Sequence, residues 1–116
     1  MSLGVPPQLH PDVRRSAQNQ MDELKQMAEG LETLSAQLKL NISEKKMEID
    51  RLRREVAVLP QGWNPAVSQA LEAKKDLELA ESHLSFLKGT LAGVREDLLN
   101  VSLKMMNLIG SGLLGA

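Results

Sequence analysis

Aromatic side chains and cysteine are nearly missing from this chain. Of its 116 residues, one is Phe, one is Trp, and none is Tyr or Cys. Globular cores usually draw heavily on aromatic side chains, so a conventional core is not expected. Without cysteine there is no disulfide framework and no thiolate chemistry, and the redox compartment stays open.

A strong charge of either sign is also missing. The net charge is −1 and the pI is about 6.1, which argues against general attraction to nucleic acid or to an anionic membrane. The opening MSLGVPPQLHPDVRR has no basic n-region and no long apolar run, so we expect no signal peptide. The apolar end, residues 98–116, is too interrupted by Asn, Ser and Gly for a transmembrane helix. We therefore expect a cytoplasmic or otherwise intracellular protein.

Residues that could carry catalysis do not converge in the sequence. His10 and His83 have no second His at helical spacing, and no Gly-rich phosphate loop with a following Lys occurs. Glu44 and Glu48 lie beside Lys45 and Lys46, as on a solvated charged helix face. The sequence therefore predicts no enzyme, no cofactor, no metal site and no nucleic-acid partner.

Two long stretches have the heptad spacing of coiled-coil helices. In the first, all but two of the core positions are apolar, the exceptions being Ser35 and Lys45. In the second, all are apolar over six heptads, which is a strong helical signal. The first seam is Ala17, Met21, Leu24, Ala28, Leu31, Ser35, Leu38, Ile42, Lys45, Ile49, Leu52, Val56 and Leu59. The second is Trp63, Ala66, Ala70, Ala73, Leu77, Ala80, Leu84, Leu87, Leu91, Val94, Leu98, Val101, Met105 and Leu108.

The segment LPQGWNPA separates these stretches and has the composition of a turn. Pro60 ends a helix, Gly62 permits a positive φ, and Asn64 with Pro65 suits a helix start. Trp63 either closes the end of the hairpin against Leu59 or points outward as a partner anchor. The predicted organisation is a mobile tail over 1–10, helix 1 over 11–59, a turn over 60–64, helix 2 over 65–109 and a flexible tail over 110–116.

The predicted fold is all-α, with two long antiparallel helices forming a coiled-coil hairpin, because so short a turn forces neighbouring helices to run in opposite directions. Folding the chain near Gln61 places large residues of helix 1 opposite alanines of helix 2. A half-heptad shift is the alternative. Cysteines at Ile42 and Ala80 are expected to oxidise in this register. Its pairs are Val56 with Ala66, Leu52 with Ala70, Ile49 with Ala73, Ile42 with Ala80, Leu38 with Leu84, Leu31 with Leu91, Ala28 with Val94 and Leu24 with Leu98.

Further apolar residues fall outside both seams, some at seven-residue spacing. They are either scattered surface residues or stripes that face another chain. We expect stripes that face another chain, because a two-helix hairpin alone is only marginally stable and needs self-association or partner helices. The candidate partner interface is Leu40, Met47, Leu79, Phe86, Leu99, Leu103 and Met106.

Two smaller features have open interpretations. Ser85, Gly89 and Gly93 either let a partner helix approach closely or form a weak point in helix 2. Lys45 at a core position either packs its stem with the ammonium in water or fixes register.

The sequence therefore predicts a structural or adaptor subunit that mediates protein–protein assembly, as a homo-oligomer or within a larger helical complex. One alternative is a small helical chaperone that shields an apolar partner segment through Met-rich faces. A second alternative is a membrane-surface protein that uses the apolar C-terminal segment, which the near-neutral charge disfavours.

Overall fold

Two antiparallel helices form a helical hairpin. The computed structural model describes residues 11–58 and 64–114, and within these ranges the elements are α1, Pro11–Val58, and α2, Asn64–Gly110. The fold is all-α, as predicted. Each helix boundary lies within a residue of its predicted position, which is the ordinary uncertainty of helix ends. The predicted N-terminal tail and most of the predicted turn, including Pro60, Gly62 and Trp63, lie outside the described residues.

The start of α1 follows from its first residues. Pro11 lacks an amide hydrogen, which the first turn of a helix does not need. Asp12 puts a negative charge in the first turn, where the helix dipole is positive. Pairs four residues apart, such as Gln37 with Asn41 and Arg51 with Glu55, link exposed side chains along the outer face.

The heptad positions are the positions that the fold buries. Every seam residue whose burial the structure describes is buried or half-buried, while nearly all residues between them are exposed. Ser35, one of the two polar exceptions, is itself buried. Removing a side chain such as Leu or Ile from water contributes about 1.5–3 kcal/mol, so the two seams are the main source of stability.

The chain divides into two compact units. The central unit comprises Leu34–Val94, and the terminal unit comprises Met1–Thr33 with Arg95–Ala116. In the central unit, Ile49, Leu52 and Ala80 form a buried cluster against which Leu77 and Leu84 pack. The Arg53 guanidinium binds the Glu81 carboxylate across the two helices at 3.2 Å. Both side chains are exposed, so this pair adds at most about 1 kcal/mol.

The predicted register is wrong by about one heptad. It placed Ala80 opposite Ile42 and Ala73 opposite Ile49, but Ala80 clusters with Ile49 and Leu52, and Ile42 is not in that cluster. In the terminal unit Leu24 and Met105 both pack against the buried cluster that contains Leu108, whereas Leu98 was the predicted partner of Leu24. A slide of seven residues leaves every seam position facing the seam, so the apolar pattern alone does not distinguish the two registers.

Engineered disulfides should distinguish them. The chain has no cysteine of its own, so only the introduced pair can oxidise. We expect Ile49→Cys/Ala80→Cys to form an intramolecular disulfide readily, because both residues belong to one buried cluster. Ile42→Cys/Ala80→Cys is the matched control, and it should remain reduced, because one heptad separates the sites by about 10 Å along the helix. Mobility on a non-reducing gel measures both, and preferential oxidation of the control would restore the predicted register.

Residues 111–114 form a closed turn, within the segment 110–116 for which the sequence predicted a flexible tail. Gly112 has a φ of +75°, and the Ser111 and Gly112 amides donate to the carbonyl oxygens of Asn107 and Ile109 at 2.9 and 3.3 Å. The Ser111 hydroxyl donates to the Leu108 carbonyl at 2.6 Å and accepts from the Leu113 amide at 3.2 Å. A left-handed glycine that ends a helix in this way turns the chain back on itself.

The turn brings apolar side chains back to the core. Leu113 and Leu114 are half-buried and pack against the cluster of Ala17, Met21 and Leu108 in the terminal unit. The segment is therefore held by both its hydrogen bonds and its apolar contacts. Leu113 and Leu114 therefore pack on the chain itself.

Candidate protein-interaction surfaces

The outer faces of the helices hold large apolar side chains in water. All seven residues of the predicted partner interface are exposed in the structure. They fall into three groups: Leu40 and Met47 on α1, Leu79 and Phe86 on α2 in the central unit, and Leu99, Leu103 and Met106 on α2 in the terminal unit.

The pair Leu79 and Phe86 forms the first of these surfaces in the central unit. The residues are 69% and 68% exposed, and their seven-residue spacing puts them two turns apart on one face of α2. Phe is the only aromatic residue in the described chain. Two large apolar side chains exposed on one face make a candidate interaction surface.

Small residues continue this surface toward the C-terminal side. Gly89 and Gly93 have no atom of another helix within 4 Å of the position that a Cβ would occupy. Open space at both glycines means that the packing between α1 and α2 does not require them. The open space at Gly89 and Gly93 leaves room for a further helix to approach closely, which is one of the two interpretations of these small residues.

Polar groups of both helices border the Leu79 end of the surface. Lys45, Glu48 and Arg51 of α1 line a shallow depression together with Asp76 and His83 of α2. The Lys45 ammonium binds the Glu48 carboxylate at 2.7 Å, and the Lys45 side chain is only 19% exposed. The stem of Lys45 thus packs in the seam while its charge is paired at the edge.

The pKa of the Glu48 carboxyl lies below its ordinary value of 4.5. The main cause is the hydrogen bond from Lys45, followed by the charge of Lys45, with smaller effects of Arg51 and His83. Partial burial opposes these effects. The carboxylate is therefore held in its charged form by the other helix as well as by its own.

This shift gives a testable pH dependence. Because the folded pKa is depressed, the Lys45–Glu48 pair stabilises the fold above pH 4.5, and the contribution is lost as pH falls through the folded pKa. We expect Lys45→Gln to return the pKa of Glu48 toward 4.5. NMR titration of the Glu48 carboxyl measures this. Lys46→Gln removes a neighbouring lysine that does not pair with Glu48, so an equal rise in that control would contradict the assignment.

The structure also shows an apolar groove that the sequence did not indicate. In the terminal unit, Leu24, Met27, Leu108 and Leu113 line a groove of about 440 Å³, with Lys104 at its edge. The groove could not be inferred, because it depends on the turn that returns Leu113 to the core.

Groups that would support other functions are not assembled in the described parts of the chain. No three His, Asp or Glu side chains there lie close enough together to hold a metal ion. Neither α1 nor α2 contains a stretch that is apolar for long enough to cross a membrane. Of the predicted turn residues, Asn64 and Pro65 are the first two residues of α2, and the others lie outside the described ranges.

Comparison with protein families, with curated proteins and with solved structures gives no significant match to this chain.

Proposed function

We propose that the chain is a non-enzymatic structural or adaptor subunit that assembles with other protein chains through the outer faces of its helical hairpin. The observation that carries this proposal is the exposure of Leu79 and Phe86 on one face of α2. Both seams are already occupied by packing within the hairpin, so these residues are surplus to the fold. Large apolar side chains that share one exposed face are typical of protein interfaces.

Affinity purification with mass spectrometry tests this proposal. We expect the wild-type chain to retain specific partners, either further copies of itself or other helical proteins, and Leu79→Ala/Phe86→Ala to lose them. Leu40→Ala/Met47→Ala is the matched comparison, since it truncates two exposed residues of α1 at the same spacing. Circular dichroism shows whether the variants keep their helices. Partners that persist in both double variants would contradict assembly through either surface.

A second candidate function is a chaperone that shields apolar segments. It is supported by the exposure of Met27, Met47 and Met106, because the flexible thioether side chain adapts to differently shaped partners. Suppression of the aggregation of unrelated substrates would favour it. Retention of one defined set of partners with no such suppression would favour the structural function.

A membrane-surface function rests on a different feature. Leu99, Leu103 and Met106 are exposed on α2, and Lys104 is the only charged residue after Asp97. Sedimentation with vesicles of phosphatidylcholine tests it with the full chain. Failure of the chain to sediment with them would remove this candidate.

A further inference from the structure

We infer that one edge of the hairpin, formed by Lys39, Lys46 and Lys88, binds an acidic helix of another protein. We call these three residues the lysine edge. All three are exposed and belong to the central unit. The inference goes beyond the proposed function, because it concerns a different surface and gives the charge of the partner that this surface fits.

An ion pair across the two helices fixes where the lysine edge lies. The Arg53 guanidinium and the Glu81 carboxylate are 3.2 Å apart, so positions 53 and 81 face each other. In antiparallel helices with heptad packing, one heptad back on α1 and one heptad forward on α2 lead to the next facing positions. These positions hold Lys46 and Lys88. The packing that brings an acid to Arg53 therefore brings a second lysine to Lys46.

The lysine edge has little negative charge of its own. None of its ammonium groups forms an ion pair with a carboxylate of the described residues, and the Glu81 carboxylate is already bound. Asp50 is the one acid at three- or four-residue spacing from Lys46, and the other two lysines have none at this spacing. Like charges that face each other repel, so the fold leaves this edge in need of further carboxylates.

A row of carboxylates on a partner helix would supply them. Lys39 and Lys46 are about 10 Å apart along α1, and acids at the same seven-residue spacing on another helix lie in line with both. Ser43 of α1 and Ser85 of α2 are exposed beside the lysines, so small side chains border the path of that helix. Opposite charges across an interface speed the encounter and exclude like-charged partners.

Nucleic acid fits the lysine edge less well than an acidic helix does. Proteins that bind single strands combine basic residues with aromatic side chains on which bases stack. Phe86 is the only aromatic residue in the described chain. It precedes Lys88 by two residues, which places it on the opposite side of α2. The net charge of −1 also gives no long-range attraction to a polyanion.

A double-mutant cycle tests whether the two lysines face each other. We expect Lys46→Gln to shift the urea midpoint of unfolding upward by more in the wild-type chain than in Lys88→Gln, because the opposing cation is then absent. Lys39→Gln with Lys74→Gln is the matched control, since these exposed lysines also lie on different helices but do not face each other, and their effects should add. Additive effects of Lys46→Gln and Lys88→Gln would overturn the lysine edge.

Binding is tested with the full chain and a synthetic, alanine-rich helical peptide that carries rows of glutamate on one face. We expect the peptide to bind and to shift the amide NMR signals of the lysine edge. Lys46→Gln/Lys88→Gln should weaken binding by about fivefold, the effect of losing two exposed ion pairs. Lys25→Gln/Lys104→Gln removes the same charge from exposed sites in the terminal unit and should leave the affinity unchanged.

Three results would overturn the inference. They are no binding of the glutamate peptide, equal binding of the same peptide with glutamine in place of glutamate, and equal weakening by the two double variants. Binding of a single-stranded DNA oligonucleotide at the lysine edge without binding of the peptide would assign the edge to nucleic acid instead. Leu79→Ala/Phe86→Ala should bind the peptide as the wild type does, so failure of the lysine edge is distinguishable from failure of the proposed function.

Discussion

Ile49→Ala is expected to lower the free energy of unfolding by about 2–5 kcal/mol, the range for truncating a buried Ile, Leu or Met. Ile49 is 3% exposed and belongs to the cluster that joins α1 to α2 in the central unit. Truncation removes buried apolar surface and leaves a space that two helices cannot close without changing their spacing. Urea unfolding followed by circular dichroism measures the effect.

Met47 provides a matched control two residues away on the same helix. It is 70% exposed, so Met47→Ala should change the free energy of unfolding by no more than about 0.5 kcal/mol. A loss of several kcal/mol from Met47→Ala, or none from Ile49→Ala, would mean that the buried face of α1 has been assigned wrongly.

Gly112→Ala is expected to lower the free energy of unfolding by about 1–2 kcal/mol, the cost of a left-handed conformation in a residue with a side chain. The φ of Gly112 is +75°, and no neighbouring atom lies within 4 Å of its Cβ position. The cost therefore comes from the backbone and not from a clash. If the turn opens to relieve it, Leu113 and Leu114 leave their contacts with the terminal cluster.

Gly30→Ala is the control with the opposite expected sign. Gly30 lies inside α1 in the same unit and also has open space at its Cβ position. Alanine there should raise the free energy of unfolding by about 0.5–1 kcal/mol, because glycine is a poor residue for a helix interior. Equal effects of the two substitutions would contradict the special conformation of Gly112.

The sequence allowed the hairpin and its buried positions to be predicted, because heptad spacing specifies which side of a helix is buried. Ile49 and Ala80, for instance, were both placed in the seam. Their pairing was not predictable, because alanine occurs at Ala73 as well as at Ala80 and the same Ile–Ala contact forms in either register. The heptad repeat allowed the fold to be predicted, and the same repeat left the register ambiguous.

Of the two exposed surfaces, one could be predicted from the sequence and the other could not. Exposure of Leu79 and Phe86 followed from their position off the seam. The groove at Met27 could not be predicted, because it depends on the positive φ of Gly112. The segment Gly110 to Gly112 could have ended the helix in several other ways. Sequence spacing reports which residues share a face, but not where the chain turns back onto that face.

The two clusters that join the helices differ in how much chain each must close during folding. Residues Ile49 and Ala80 are 31 positions apart in the chain, whereas Ala17 and Leu108 are 91 apart. Closing the longer loop from the unfolded chain costs about 1 kcal/mol more in entropy, and that excess falls away once the inner contacts have formed. We therefore expect folding to start in residues 34–94 and to spread outward, so that pulsed hydrogen exchange finds amides there protected first and the contacts of Leu113 and Leu114 last. Simultaneous protection would contradict this order. On this route, the C-terminal turn is the step that completes folding.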